Sequence, residues 1–376
     1  MKIKIVSFIC IPFFVPLMYC VSYAQVSKKQ EVNPSSKIEF VHPGIVNNIQ
    51  NLDFIWSEMN AGKKSRVEAY QQLLDFIENN PIATEYPAIV MAKGSGSTPT
   101  EAHIRRDAVL AYAHALKWAR TGKAEDAANA IKILNGWAAN FQKYEAVEGT
   151  SNKQSQLEAA WVAPSFVAAA EIIRHFKVDG KSANWSSADK AVFNKFIQNL
   201  KDNYINAMVK DINTNRRRNN WGVSAGYAKM AIGVYLGSSN VYEDGKRIIL
   251  NLLPDIIKPD GEILEFCARD CHHPQYSMCG LTLAAEIAKN QGDTSVYEAI
   301  SMRLKTGWDW MGAAYNGEAD CRNCAKAKLF SVIEVASNHY KSSIIQNLIE
   351  NKSPFEVSKS QTFIDFFTYT HRNISK

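Results

Sequence analysis

A helix-stop signal followed within a few residues by a helix-start signal recurs along this chain, and no other feature restricts its fold as much. In "TGKAED" (121–126), "GSSNVYE" (237–243) and "GDTSVYE" (292–298) a glycine closes one apolar stripe just before the cap and acidic first turn of the next. Connections this short join antiparallel helices. The clearest stripe has apolar residues at 104, 108, 111, 115 and 119, a 3.6-residue period. Thr98–Glu101 ahead of it reads as a capping box with Pro99 at the first helical position, and Gly122 behind it as a left-handed cap. The spacing predicts hairpins over 47–61 with 64–79, 102–121 with 124–141, 155–177 with 187–210, 221–236 with 241–257, and 275–290 with 295–315. A shorter helical tail follows. No fixed-period repeat is present, which argues against a solenoid of identical units. The expected fold is therefore all-α, an α/α toroid (incomplete α/α barrel) of about five to six helical hairpins. In such a ring the inner helices line a central cleft, and the long loops 92–101, 142–156, 211–220 and 257–274 build the site.

The first residues, "MKIKIVSFICIPFFVPLMYCVSYAQ", set Lys2 and Lys4 before an apolar run and end on the small residues Ser22–Ala24. This is the pattern of a secretory leader cut after Ala24, with a lipoprotein anchor at Cys20 the weaker alternative because Met18 and Tyr19 are not small. The expected organisation is a signal peptide over 1–24, a polar, flexible mature N-terminus over 25–40, and the toroid over 41–376. No other apolar run is long enough to span a membrane. The formal charge of +6 falls to about +4 without the leader lysines, a mild excess that suits an acidic partner. Nucleic acid is not expected of an exported chain without a reading motif. The sequence sets no oligomeric state.

One eight-residue stretch, "RDCHHPQY" (269–276), concentrates chemistry: Arg269, Asp270, the adjacent His272 and His273, Gln275 and Tyr276, with Cys267, Cys271 and Cys279 around them. The C-x3-C-x7-C spacing matches no common zinc site, and an oxidising compartment removes free thiolates, so no metal or other cofactor is expected. "CRNC" (321–324) lacks a second such pair, and a structural disulfide is its expected fate. Asp260, Glu262, Glu265 and Asp270 would allow a hydrolase's carboxylate pair, but four acids in eleven residues fit a solvated surface equally. A third chemistry uses the whole stretch. The C5 proton of a uronate is barely acidic while its carboxylate is charged. An enzyme must neutralise that group, take the proton, and protonate the departing glycosidic oxygen. Arginine and asparagine suit the first task, histidine or tyrosinate the second, and a phenol the third. "NTNRRRNNWG" (213–222) adds Arg218, Asn219, Asn220 and Trp221 before a helix start. It reads either as a solvated basic loop with Asn220 as helix cap, or as a polyanion-binding rim with Trp221 offering a flat face to a sugar. Gln154, Gln156 and Trp161 open the inner helix of the third hairpin and fit sugar subsites or packing. His103 and His114 read as helix histidines rather than ligands. The 92–103 segment has the glycine content of a lid and equally of a plain loop.

Four segments together resemble the alginate lyase superfamily of helical polysaccharide lyases, in family order and over nearly the whole mature chain. They are 40–73 with its "HPG", 107–138, "NNWGVSAGYAKMAIGVYLG" (219–237) and "RDCHHPQYSMCGLTLAAEIAKNQGDTSVYE" (269–298). The resemblance implies an α/α toroid and β-elimination on a uronate polysaccharide, alginate first and glucuronan or another acidic glycan next. In one branch an arginine precedes the catalytic tyrosine by seven residues, as Arg269 precedes Tyr276. That branch follows its asparagine with a histidine, where this chain has Trp221 after Asn220. A second branch reads R-D-x-x-H, matched by Arg269, Asp270 and His273. The resemblance thus implies Tyr276 as acid, with Tyr276 or His273 as base and Arg269 and Asn220 on the carboxylate. Trp221, Asn219, Arg218, Gln275, His272 and Gln156 are expected substrate contacts, His272 being the weaker histidine. A glycoside hydrolase on a similar toroid and a non-catalytic acidic-glycan-binding protein are the competing readings.

Overall fold

The computed structural model describes residues 38–94 and 96–374. The expected leader lies outside them, as does the expected flexible N-terminus apart from residues 38–40. The chain forms α1 (Ile49–Asn60) and α2 (Lys64–Asn79), α3 (Pro99–Thr121) and α4 (Ala124–Asn140), then α5 (Lys153–His175) with α6 (Ser187–Asn199) and α7 (Asn206–Asn213). There follow α8 (Asn220–Leu236) and α9 (Ser239–Ile256), α10 (His273–Asn290) and α11 (Ser295–Tyr315), and the short α12 (Ile333–His339), α13 (Ser343–Lys352) and α14 (Phe367–His371). The α3 start is the expected capping box, with Thr98 and Glu101 each bonded to the other's backbone N–H, and Gly122 ends it at φ 65°.

Helices α3, α5, α8 and α10 pack side by side in that order and are buried almost all round. Their partners α4 and α9 bury one face each. Contacts of α10 with α12, α12 with α14, α14 with α2 and α2 with α3 close the circle, which is the expected α/α toroid. Helices α8 and α9 touch backbone to backbone: a Cβ on Gly245 would stand 2.6 Å from the Gly226 carbonyl oxygen, so only glycine permits that approach.

Three features depart from the sequence reading, one being that the helix expected over 295–315 is kinked by non-helical backbone at Ala299, Ile300, Ser301 and Met302. The helix expected over 187–210 is broken by a π-helical turn, Leu200–Ile205, which places the Tyr204 hydroxyl 2.9 Å from the Tyr144 N–H it accepts from. Tyr144 belongs to β2 (Lys143–Ala146), which pairs in parallel with β1 (Ile89–Ala92). Strands of four residues are too short to show an alternating pattern.

Residues 38–47 run as a strap across the end of the ring where the inner helices finish. Gln291, just past α10, accepts from Val41 N–H at 2.8 Å and donates to the carbonyls of Val41 and Gly44 at 3.2 and 2.8 Å. Asn290 donates to the Ile45 carbonyl at 3.1 Å, and Ser239, just past α8, accepts from Ile38. A Cβ on Gly44 would lie 1.9 Å from the Val41 oxygen, which explains the glycine of "HPG". No helix among the described residues is long and apolar enough to cross a membrane.

Candidate active site

The N-terminal halves of the four inner helices meet in one cleft of about 370 Å³. Ala102 and Arg105 come from α3, Gln154, Leu157 and Trp161 from α5, Asn220 and Trp221 from α8, and His273 and Tyr276 from α10. Each helix start turns the positive end of its dipole towards the space, with first-turn N–H groups held by caps such as Thr98, Asn219 and Asp270. Lys93, Arg105, Arg269 and Lys359 add side-chain charge, and among the described residues the lining holds no aspartate or glutamate. Such a cleft favours a polyanion.

At the start of α10, Asp270 does two things at once. Its Oδ1 accepts the backbone N–H groups of His272 and His273, each at 2.7 Å, and its Oδ2 meets His273 Nδ1 at 2.6 Å. Burial would raise the Asp270 carboxyl, but these N–H groups and the His273 ring hold it below the usual carboxylate range. His273 itself lines the cleft. His272 turns the other way, placing Nε2 2.7 Å from the Tyr276 hydroxyl. Burial and then the His273 charge push His272 below the ordinary imidazole value, against the pull of Asp270. Burial raises the Tyr276 phenol above its ordinary value, outweighing hydrogen bonds from Ser360 and Thr362 and the charge of Arg105. A neutral phenol beside a neutral imidazole follows. His272 also lines a neighbouring cavity of about 790 Å³, so it joins the buried hydroxyl to a second body of solvent.

Across the cleft, one carboxylate joins two donors. Glu265 accepts from Asn220 Nδ2 at 2.7 Å through Oε2, and from Arg269 Nη1 at 2.8 Å through Oε1. Behind Trp161, Arg105 grips Glu158 with Nε at 2.6 Å and Nη2 at 2.5 Å, holds Ser97 at 3.0 Å, and sits 5.2 Å over the Trp161 ring. That ring lies 5.8 Å from the ring of Tyr276.

A family profile described as alginate lyase matches residues 29–320. The chain belongs to the alginate lyase family. It is a polysaccharide lyase. Among curated proteins none matches the sequence. Solved structures do: an alginate lyase from Bacteroides ovatus superposes with a TM-score of 0.66 at 12% identity, over 89% of this chain and 100% of the other. A variant of alginate lyase A1-III complexed with a tetrasaccharide gives 0.64 at 15% identity, over 87% and 97%. Alginate lyase A1-III from Sphingomonas species A1 gives 0.57 at 15%, over 78% and 85%. At these identities the likeness is one of fold.

In this lyase, Arg269, His273, Tyr276, Asn220 and Trp221 line the same cleft. The flat face of Trp221 already carries the Arg217 guanidinium 3.8 Å from its centroid. Five expected substrate contacts are placed elsewhere, His272 among them, on the neighbouring cavity. Arg218 is turned outward to α9, bonding Asp255 at 2.5 Å and the Asn251 carbonyl at 2.9 Å. Asn219, not Asn220, caps α8, accepting from Trp221 N–H at 3.2 Å, which frees the Asn220 amide for the site. Gln275 pins the 328–330 segment through Lys328 O and Phe330 N–H at 2.9 and 2.8 Å. Gln156 is half-buried off the lining, and Gln154, two residues before it, faces the cleft and donates to Glu158 at 2.8 Å. Sequence reasoning missed Arg105 and the segment Lys359–Thr362, which also lines the cleft. A buried arginine inside an inner-helix stripe was the available signal for the first. "KSQT" offers none.

The cysteines near the cluster are not ligands. Cys267 is bonded to Cys321 and Cys271 to Cys324, while Cys279 is free and buried. The two bridges tie the loop before α10 to the 321–324 segment. Of the four acids considered for hydrolysis, Glu262 pairs with Lys258 at 2.7 Å and Asp260 bonds the Glu262 N–H at 3.0 Å. Glu265 and Asp270 are spent on the donors described above.

Proposed function

We propose that this lyase cleaves alginate by β-elimination, leaving a 4,5-unsaturated sugar at the new non-reducing end. The observation that carries the reading is the convergence of Asn220 and Arg269 on a single carboxylate, supplied here by Glu265. A uronate carboxylate that replaced Glu265 on the same amide and guanidinium would have its charge balanced, and its C5 proton made removable. The neutral phenol of Tyr276 suits it as the acid rather than the base. His273, with Asp270 on Nδ1, then takes the C5 proton on Nε2. The C5 electron pair forms the C4–C5 double bond, the bond from C4 to the glycosidic oxygen breaks, and the Tyr276 proton passes to that oxygen. His272 returns a proton to the phenolate from the adjoining cavity, and His273 releases its own to solvent, so the enzyme is restored. Lys93, Arg105 and Lys359 would hold flanking uronates.

Incubation with alginate, polymannuronate, polyguluronate, glucuronan and hyaluronan tests the reading through the ultraviolet absorbance of the unsaturated product. Absorbance growing fastest on alginate is expected. New reducing ends without absorbance would mean hydrolysis and sink the proposal; absorbance on glucuronan alone would keep the mechanism and replace the substrate. Two disulfides and the leader pattern support export to the periplasm or beyond.

A further inference from the structure

The "HPG" strap carries chemistry that elimination leaves unused. His42 Nδ1 lies 3.1 and 2.9 Å from the two carboxylate oxygens of Glu171. His175, one turn further along α5, has Nε2 3.7 Å from Oε1 of the same carboxylate. The three ligand atoms all fall within 4.8 Å of one another. Glu171 is 1% exposed, and the His175 Nε2 is buried with no hydrogen-bond partner. We infer that His42, Glu171 and His175 form a site for a divalent transition metal of the zinc class, which clamps the strap to the end of α5.

Several independent features favour a cation here. Two imidazoles and a carboxylate are a zinc-type donor set, with water left for the fourth tetrahedral position. Glu171 and His175 stand four residues apart on one helix face, the spacing at which two side chains reach one ion. The site lies at the carbonyl end of α5, where the helix dipole is negative. The Gly44 N–H holds the Glu171 carboxylate from behind at 3.2 Å, as outer partners of metal ligands do. Without an ion the two rings stack, 4.3 Å apart and 12° from parallel. Shared coordination needs both lone pairs aimed at one point, so binding must open that stack. Side chains 24% and 25% exposed have room to turn.

The test uses untagged full-length protein stripped with a chelator and titrated calorimetrically with zinc, cobalt(II) and magnesium, with melting curves for each. Expected are one equivalent of zinc, a tetrahedral cobalt spectrum, no magnesium binding and a melting point raised by zinc. His175→Gln should weaken zinc binding by about a hundredfold and abolish the rise, in keeping with the loss of a ligand. Its stripped form should melt close to the stripped wild type, losing only the stack on His42, since His175 Nε2 has no hydrogen bond to lose. Absence of stoichiometric zinc binding, or equal binding by His175→Gln, would overturn the assignment.

Discussion

The two ends of the inner helices are built to opposite ends. Where α3, α5, α8 and α10 begin, helix dipoles and the cations Lys93, Arg105, Arg269 and Lys359 surround an open cleft that a substrate could fill. Where they finish, the 38–47 strap crosses them and Gln291, Asn290 and Ser239 meet its backbone groups one by one. The difference teaches a division of labour: one end gathers cations and donors around an open cleft, some of them held by Glu158 and Glu265, and the other spends most of its polar groups on holding the ring. Substitutions at the first end should change rate with little effect on melting, and at the second the reverse.

The largest break expected at the cleft end is Tyr276→Phe. It removes the hydroxyl that His272 orients while leaving the ring packed against Trp161, Phe330 and Phe363. Turnover should fall by about 10²-fold or more, with the melting point nearly unchanged. Near-normal turnover measured by product absorbance would remove Tyr276 from the chemistry. At the strap end, Gln291→Ala deletes one acceptor and two donor contacts to the strap's backbone. A loss of about 0.5–1.5 kcal/mol of stability is expected in denaturant titration, with kcat and KM intact. A rate change of similar size would show the two ends to be coupled.

The same contrast explains what could be read without coordinates. The ring was legible because long amphipathic stripes and glycine stops are local signals, and the hairpins fall within a few residues of where the stripes place them. The RDCHHPQY cluster was legible because its members are neighbours in sequence. The pairings that make it a site were not. Nothing local says that Glu265 would join Asn220 to Arg269, or that His272 rather than His273 would reach Tyr276. The second follows only from the helix start: Asp270 captures the His273 ring, while His272, four residues before Tyr276, falls on the tyrosine's side of the helix. The Lys359–Thr362 wall enters from the far end of the chain, beyond reach of any spacing argument.

A finer cut within the cleft separates capping from catalysis. Asp270→Asn keeps an oxygen for the α10 backbone N–H groups, since asparagine caps helices as well as aspartate. It removes the negative charge that stabilises a protonated His273. A roughly tenfold fall in kcat, about 1.4 kcal/mol, is expected with a melting shift of under about 1 kcal/mol equivalent. A large melting loss with proportionate inactivation would make Asp270 a cap and nothing more.

The mildest perturbation is pH, and it decides which proton Tyr276 carries. Burial raises its phenol above the ordinary value of 10.0, so the protonated form persists to higher pH in the folded enzyme than in the unfolded chain. If Tyr276 is the acid, kcat/KM should stay level through pH 10 and fall only as the pH passes the raised value. If it is the base, active only as phenolate, kcat/KM should instead climb through the same range. The phenol's stability contribution has the sign of a raised group: it is present in full below pH 10 and is lost as the pH rises through the folded value. Rate must therefore be followed alongside melting. A decline that tracks unfolding says nothing about Tyr276, and Tyr276→Phe provides the control, because its residual rate should lack the alkaline limb. A climbing limb in the wild type that vanishes in Tyr276→Phe would transfer the base from His273 to Tyr276 and leave the Asp270–His273 pair with carboxylate binding alone.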